Sequence, residues 1–181
     1  MTEVLVFSSS KDACGLGVLD VSTGSSIGIA FKNCIADAGT MCTLGYNESS
    51  YSGRGSSGDY IAVSQSKKPL IHLYKWGTQV PFAQYHIQEI VTAMAADASG
   101  TFLIGGTKQG WIHCWNTSTG ELVNMWQAHY KDVTRIYVTK NNQYIISSAT
   151  DGVTRAWDLT KVLDISERGR TKSKVSVTPF R

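Results

Sequence analysis

The chain has 181 residues, 42% of them hydrophobic and 17% charged, with 17 glycines, 8 tyrosines, 5 tryptophans and only 3 prolines. That is length and apolar content for a domain with a real core, but no segment approaches the roughly 18 consecutive apolar residues of a membrane-spanning helix. Net charge is +3, concentrated at one end: residues 161–181 hold six of the 17 Lys and Arg and two of the 14 Asp and Glu.

Apolar runs are short, rich in Val, Ile, Thr and aromatics, and separated by Gly, Ser, Asn and Asp, which is a vocabulary of strands and turns. No stretch keeps a helical period over three turns. The first group of expected strands is 4–7, 16–21 and 27–31, followed by 41–46, 60–64, 70–76 and 82–86. A third group comprises 91–96, 102–106, 111–115 and 122–126. A fourth comprises 133–138, 144–148 and 153–157, with 175–177 as its outer strand. In 111–115, Trp111 and Trp115 point one way and Ile112 and Cys114 the other, so both faces of that strand are expected to be covered.

A repeat emerges from these strands. Trp76, Trp115 and Trp157 each end an apolar run, at spacings of 39 and 42 residues, close to the roughly 40–45-residue period of propeller blades. Asp20-Val21-Ser22-Thr23-Gly24 aligns with Asn116-Thr117-Ser118-Thr119-Gly120, so Leu19 takes the place of Trp115. The longer gap from Leu19 to Trp76 is explained by residues 47–58, which are almost all Ser, Gly, Tyr and Asn and are expected to be an inserted loop.

Several motifs suggest chemistry. Ser147, His129 and Asp151 contain the residue types of a hydrolase triad, but no G-x-S-x-G elbow accompanies them. Gly53 to Gly58 spells G-x-G-x-x-G, yet a strand rather than a helix follows it, so dinucleotide binding is not expected. Cys14, Cys34, Cys42 and Cys114 form no C-x-x-C pair, and His72, His86 and His113 lack metal-ligand spacing, so neither a zinc site nor any other cofactor is expected. Residues 1–19 show no secretory signal pattern, which predicts reduced thiols in an intracellular protein. Arg168, Arg170, Lys172 and Lys174 form a basic stretch with several open readings: a solvated loop, a contact with RNA or an acidic partner, or a nuclear-import signal.

The fourth repeat carries the sharpest signature: His129, then 133–136, then Ser147 to Gly152, then Arg155-Ala156-Trp157-Asp158. It resembles the WD-repeat β-propeller family. The resemblance implies a structural hydrogen-bonded tetrad of His129, Ser147, Asp151 and Trp157, with no catalytic, cofactor or metal site. In the third repeat Gly105 stands where Ser147 does, and Asn116 follows Trp115. Within the family, Ser118 to Leu122 and His129-Tyr130-Lys131-Asp132-Val133 are similar to the WD-repeat subunits of Rix-type pre-ribosomal complexes.

The expected fold is therefore all-β: about four blades at 1–38, 39–88, 89–128 and 129–181, the N-terminal part of a seven-bladed propeller. The fourth is expected to present Trp157 and Ile145 or Ile146 toward a following blade. The resemblance implies a non-catalytic nuclear and nucleolar scaffold in large-ribosomal-subunit maturation and spacer-RNA processing, with helical-repeat scaffold subunits and pre-ribosomal particles as partners; RNA contact through the basic stretch stays one of its open readings, and no membrane is expected. The alternatives are an adaptor in a chromatin, replication-licensing or ubiquitin-ligase complex, and a propeller hydrolase.

Overall fold

A computed structural model describes residues 4–8, 15–32, 41–44, 60–65, 67–75 and 78–164. The inserted loop 47–58, Trp76, and the basic stretch with its expected outer strand lie outside these residues. So do Cys14 and Cys34. The described chain forms four antiparallel sheets of sequential strands. Sheet one contains β1 (Val4–Ser8), β2 (Gly15–Asp20) and β3 (Ser26–Lys32). Sheet two contains β4 (Met41–Leu44), β5 (Tyr60–Ser64), β6 (Leu70–Lys75) and β7 (Ala83–His86). Sheet three contains β8 (Val91–Ala96), β9 (Phe102–Thr107), β10 (Trp111–Asn116) and β11 (Leu122–Gln127). Sheet four contains β12 (Val133–Val138), β13 (Tyr144–Ala149) and β14 (Thr154–Asp158), followed by helix α1 (Leu159–Asp164).

The alternation in β10 decides how three sheets stack. Trp115 joins Leu103, Met94, Leu73, Ala62 and Tyr85 in a core between sheets two and three. Ile112 and Cys114 join Ile104, Trp126, Ile145 and Trp157 in a second core between sheets three and four. Each buried aliphatic or aromatic side chain contributes about 1.5–3 kcal/mol. Trp157 and Ile145 thus face sheet three, which corrects the expectation that they point toward a following blade. Ile146 lies on the other face of β13, half-buried, in a cross-strand row with Tyr137 and Ala156.

Register also moves one repeat landmark. Tyr74 pairs with Ile61 as Trp115 pairs with Leu103 and Trp157 with Ile145. Tyr74 is buried and occupies the tryptophan position of sheet two. The landmarks then stand 41 and 42 residues apart, more regular than the spacing from Trp76.

Two glycines let sheets three and four close on each other. A Cβ on Gly106 would lie 2.4 Å from Val133 Cγ1 on β12. Gly110 has φ of +87°, and its Cβ would lie 2.1 Å from the His129 carbonyl oxygen. In place of a side chain, Gly110 offers its own carbonyl to the N–H groups of Ala128 and His129, at 3.0 and 2.9 Å. The inner strands β8 and β12 share a bulge at Thr92 and Thr134, and the Thr92 hydroxyl reaches the Val133 carbonyl at 2.7 Å. At the opposite loop end, Asn142, with φ of 54°, accepts the Ala98 N–H at 2.8 Å.

Helix α1 was not legible as a helical period, and its cause is local. Asp20, Asn116 and Asp158 each end a strand, and each caps the second residue after it through a side-chain oxygen, at 2.8, 2.9 and 3.0 Å. Four residues after the first two come Gly24 and Gly120, with φ of 67° and 72°, which turn the chain back as a hairpin. Four residues after Asp158 stands Val162, whose β-branched side chain disfavours the left-handed region. The cap therefore runs on into a helix, and Val162 and Leu159 bury against Trp126 and Trp157. Among the described residues sheet four consequently stops at β14, where sheets two and three add β7 and β11.

Candidate functional site

His129, Ser147, Asp151 and Trp157 come from three places: the β11–β12 connection, β13, and β14 with the turn before it. The structure brings all four together. Trp157 Nε1 donates to Ser147 Oγ at 3.0 Å. Ser147 Oγ lies 2.8 Å from His129 Nε2, and His129 Nδ1 lies 3.2 Å from Asp151 Oδ2. The Trp157 donor and the Asp151 acceptor set the direction of the whole chain. Ser147 accepts from the indole and donates to Nε2, so the imidazole proton sits on Nδ1 and points to the carboxylate. Asp151 also accepts the N–H groups of Val153 and Tyr130, at 3.0 and 3.3 Å, which ties the β13–β14 turn to the β11–β12 connection.

Electrostatics agree with this tautomer. Burial pushes the His129 pKa below its ordinary 6.5; Asp151 opposes the shift, and the Arg155 charge adds to it. Burial alone would raise the Asp151 carboxyl, but the N–H groups of Val153 and Tyr130 and the His129 imidazole outweigh it, holding the carboxyl below its ordinary 3.8. A neutral imidazole in the fold has a consequence for stability. The unfolded chain takes up a proton below about pH 6.5 that folded His129 resists. The tetrad's contribution is therefore complete above that pH and is lost as the pH falls through the lowered folded value. His72 and His113, also lowered by burial, share the trend. The urea midpoint should drop between pH 7.5 and 5.5, and His129→Gln should flatten the dependence. An unchanged slope in that variant would show that His129 is not the group being protonated.

The same constellation does not form a hydrolytic site. Ser147 has 0% exposure, and its oxygen is committed to the indole. A nucleophile needs reach to a substrate carbonyl, which this serine lacks. The two described thiols are no better placed: burial pushes Cys42 up to about 12, and burial with the Asp97 charge does the same to Cys114. Among the described residues no three His, Cys, Asp or Glu side chains converge as metal ligands. No described helix is long and apolar enough to cross a membrane.

Sheet three shows what replaces the tetrad. Ile87, Gly105, Gln109 and Trp115 occupy the places of His129, Ser147, Asp151 and Trp157. A Cβ at Gly105 would lie 2.8 Å from the Trp115 ring, so the indole lies over the place where Ser147 stands in sheet four, and the seam there is apolar. Two further devices were not visible in the sequence. Tyr85, on β7, donates its hydroxyl to the Thr117 carbonyl and lies across Gly120. Arg155 donates to the Ala128 carbonyl. The spacing of strands gives no sign of either, because each depends on how neighbouring sheets meet.

The family model "WD domain, G-beta repeat" matches residues 120–158, the span from the end of sheet three through β14. The chain carries a WD repeat. Its antiparallel sheets have the form of WD-repeat blades, and the four residues that the structure brings together, His129, Ser147, Asp151 and Trp157, all fall within the matched span. Among curated proteins, the chain is 30% identical to Protein ROOT INITIATION DEFECTIVE 3 of Arabidopsis thaliana, over 92% of this chain and 36% of that protein. It is 28% identical to Pre-rRNA-processing protein IPI3 of Yarrowia lipolytica, over 88% of this chain and 34% of that protein. With WD repeat-containing protein 18 of Danio rerio the identity is 26%, over 80% of this chain and 35% of that protein. The chain thus spans about a third of the length of these relatives.

Proposed function

We propose that this chain is a non-catalytic WD-repeat scaffold of a nuclear and nucleolar complex that matures the large ribosomal subunit and processes spacer RNA. The observation that carries the reading is the similarity to a pre-rRNA-processing protein over 88% of the chain. It is supported by a tetrad whose serine is sealed from substrate. Blades that bind one another through buried cores leave their loop ends and outer faces for partners, which suits an assembly role. Helical-repeat scaffold subunits and pre-ribosomal particles are the partners proposed. Arg168, Arg170, Lys172 and Lys174 are the residues proposed to contact RNA or acidic neighbours.

The test is to tag the protein, sediment nuclear extract and follow spacer-containing precursor RNA. Co-sedimentation with large-subunit precursors, and accumulation of unprocessed spacer RNA on depletion, are the expected results. Neutralising the four basic residues should weaken the association, and the loss should be greatest at low salt. Normal spacer processing after depletion would remove the ribosomal reading and leave the chain an adaptor of another complex.

A further inference from the structure

We propose that the loop end shared by blades three and four is a docking surface for an acidic polypeptide segment, centred on Tyr130 and Arg155. Tyr130 is 82% exposed, yet its backbone is fixed, because its N–H is held by Asp151. The Arg155 guanidinium lies 6.0 Å from the centre of the Tyr130 ring. One of its nitrogens, Nη1, donates to the Ala128 carbonyl. A guanidinium carries five N–H donors in a planar fork, so the Ala128 carbonyl orients the group while using only part of it. A pre-oriented fork beside an exposed aromatic ring is what a carboxylate and an adjoining apolar side chain bind together.

The surrounding charge favours an anionic partner. The turn holding Lys108 touches the segment holding Lys131, since the Gly110 Cβ position is 2.1 Å from the His129 oxygen and 3.0 Å from the Lys131 oxygen. Both lysines are exposed. Asp151, at the same end, is already engaged by His129, Tyr130 and Val153. That leaves Asp132, half-buried, as the acidic side chain of the 129–132 segment. Blade three does not repeat the arrangement: it has Gln88 at the place of Tyr130 and a buried His113 at the place of Arg155. A single ring and one fork suit a two-oxygen carboxylate better than a polynucleotide, which tracks along several stacked aromatics and a continuous cationic groove.

This inference deepens the scaffold reading and rests on it only in taking blades to dock partners. Its test is independent of any ribosomal particle. A fluorescent peptide of alternating Glu and Leu, and a counterpart with Gln in place of Glu, would be titrated into the full chain while anisotropy is followed. The Glu peptide should bind more tightly at low salt than at high salt, and about tenfold more tightly than the Gln peptide. Tyr130→Ala should weaken it about tenfold, as expected for an aromatic anchor, while Tyr130→Phe retains binding. Arg155→Lys should also lose binding, because a point charge does not replace the fork. Lys108→Glu with Lys131→Glu should weaken it at low salt without altering the urea midpoint. The proposal is overturned if neither peptide binds, if the Gln peptide binds equally, or if Tyr130→Ala binds as tightly as the parent. Selective binding of an oligouridylate, with the same residue dependence and no response to the Glu peptide, overturns it in favour of RNA.

Discussion

Gly110→Ala should cost about 3–5 kcal/mol and loosen blade three from blade four. Two penalties combine. The left-handed φ of +87° is strained for any residue with a Cβ, at roughly 1–2 kcal/mol. The methyl would also meet the His129 carbonyl at 2.1 Å, so backbone must move and the two N–H bonds onto Gly110 must stretch. Gly152 is the internal control. It holds the equivalent turn position in blade four with φ of +77°, but among the described residues nothing lies within 4 Å of its Cβ position. Gly152→Ala should therefore cost only the conformational strain, about 1–2 kcal/mol. Urea denaturation of the two variants separates the terms. Equal losses would mean that the close approach at His129 contributes nothing.

Ser147→Ala should cost about 2–4 kcal/mol, more than its volume suggests. Its hydroxyl is the shared atom of the tetrad. Removing it leaves the Trp157 N–H and His129 Nε2 both buried without a partner, and each such group carries a desolvation penalty of roughly 1–3 kcal/mol. His129→Ala should cost about 1–3 kcal/mol, since Ser147 keeps the indole. A double-mutant cycle between these two positions should show strong coupling. Additive losses would mean that the four residues lie side by side without acting as one network.

Most of the fold was legible because the repeat writes the same grammar several times. Alternation in β10 announced two buried faces, and the resemblance to the WD-repeat pattern implied that His129, Ser147, Asp151 and Trp157 would meet. Three features escaped for distinct physical reasons. Tyr74 holds a tryptophan position because burial there asks for a large aromatic, and Trp76 two residues later has the louder signal. Helix α1 has too few residues to show a period, and it begins where Val162 stands in place of a turn glycine and Leu159 and Val162 find a buried face. Tyr85 and Arg155 act across seams, onto the Thr117 and Ala128 carbonyls, and main-chain acceptors leave no mark in a sequence.

The exchange of glycine for Val162 also separates what the repeat must keep from what it is free to change. A blade's inner strands are gripped from both sides by neighbouring cores, so an alteration there would be transmitted along the whole array. Its outermost element hangs from one neighbour, and after β14 the described chain passes into a helix, where after β6 and β10 it passes into β7 and β11. The Trp126 indole N–H is buried beside that helix without a partner among the described residues. Its counterpart in blade two, Tyr85, meets a carbonyl in the glycine-closed turn. The rim is thus the tolerant margin of this architecture: the element that follows the third strand changes from turn to helix while the register of the strands behind it is kept.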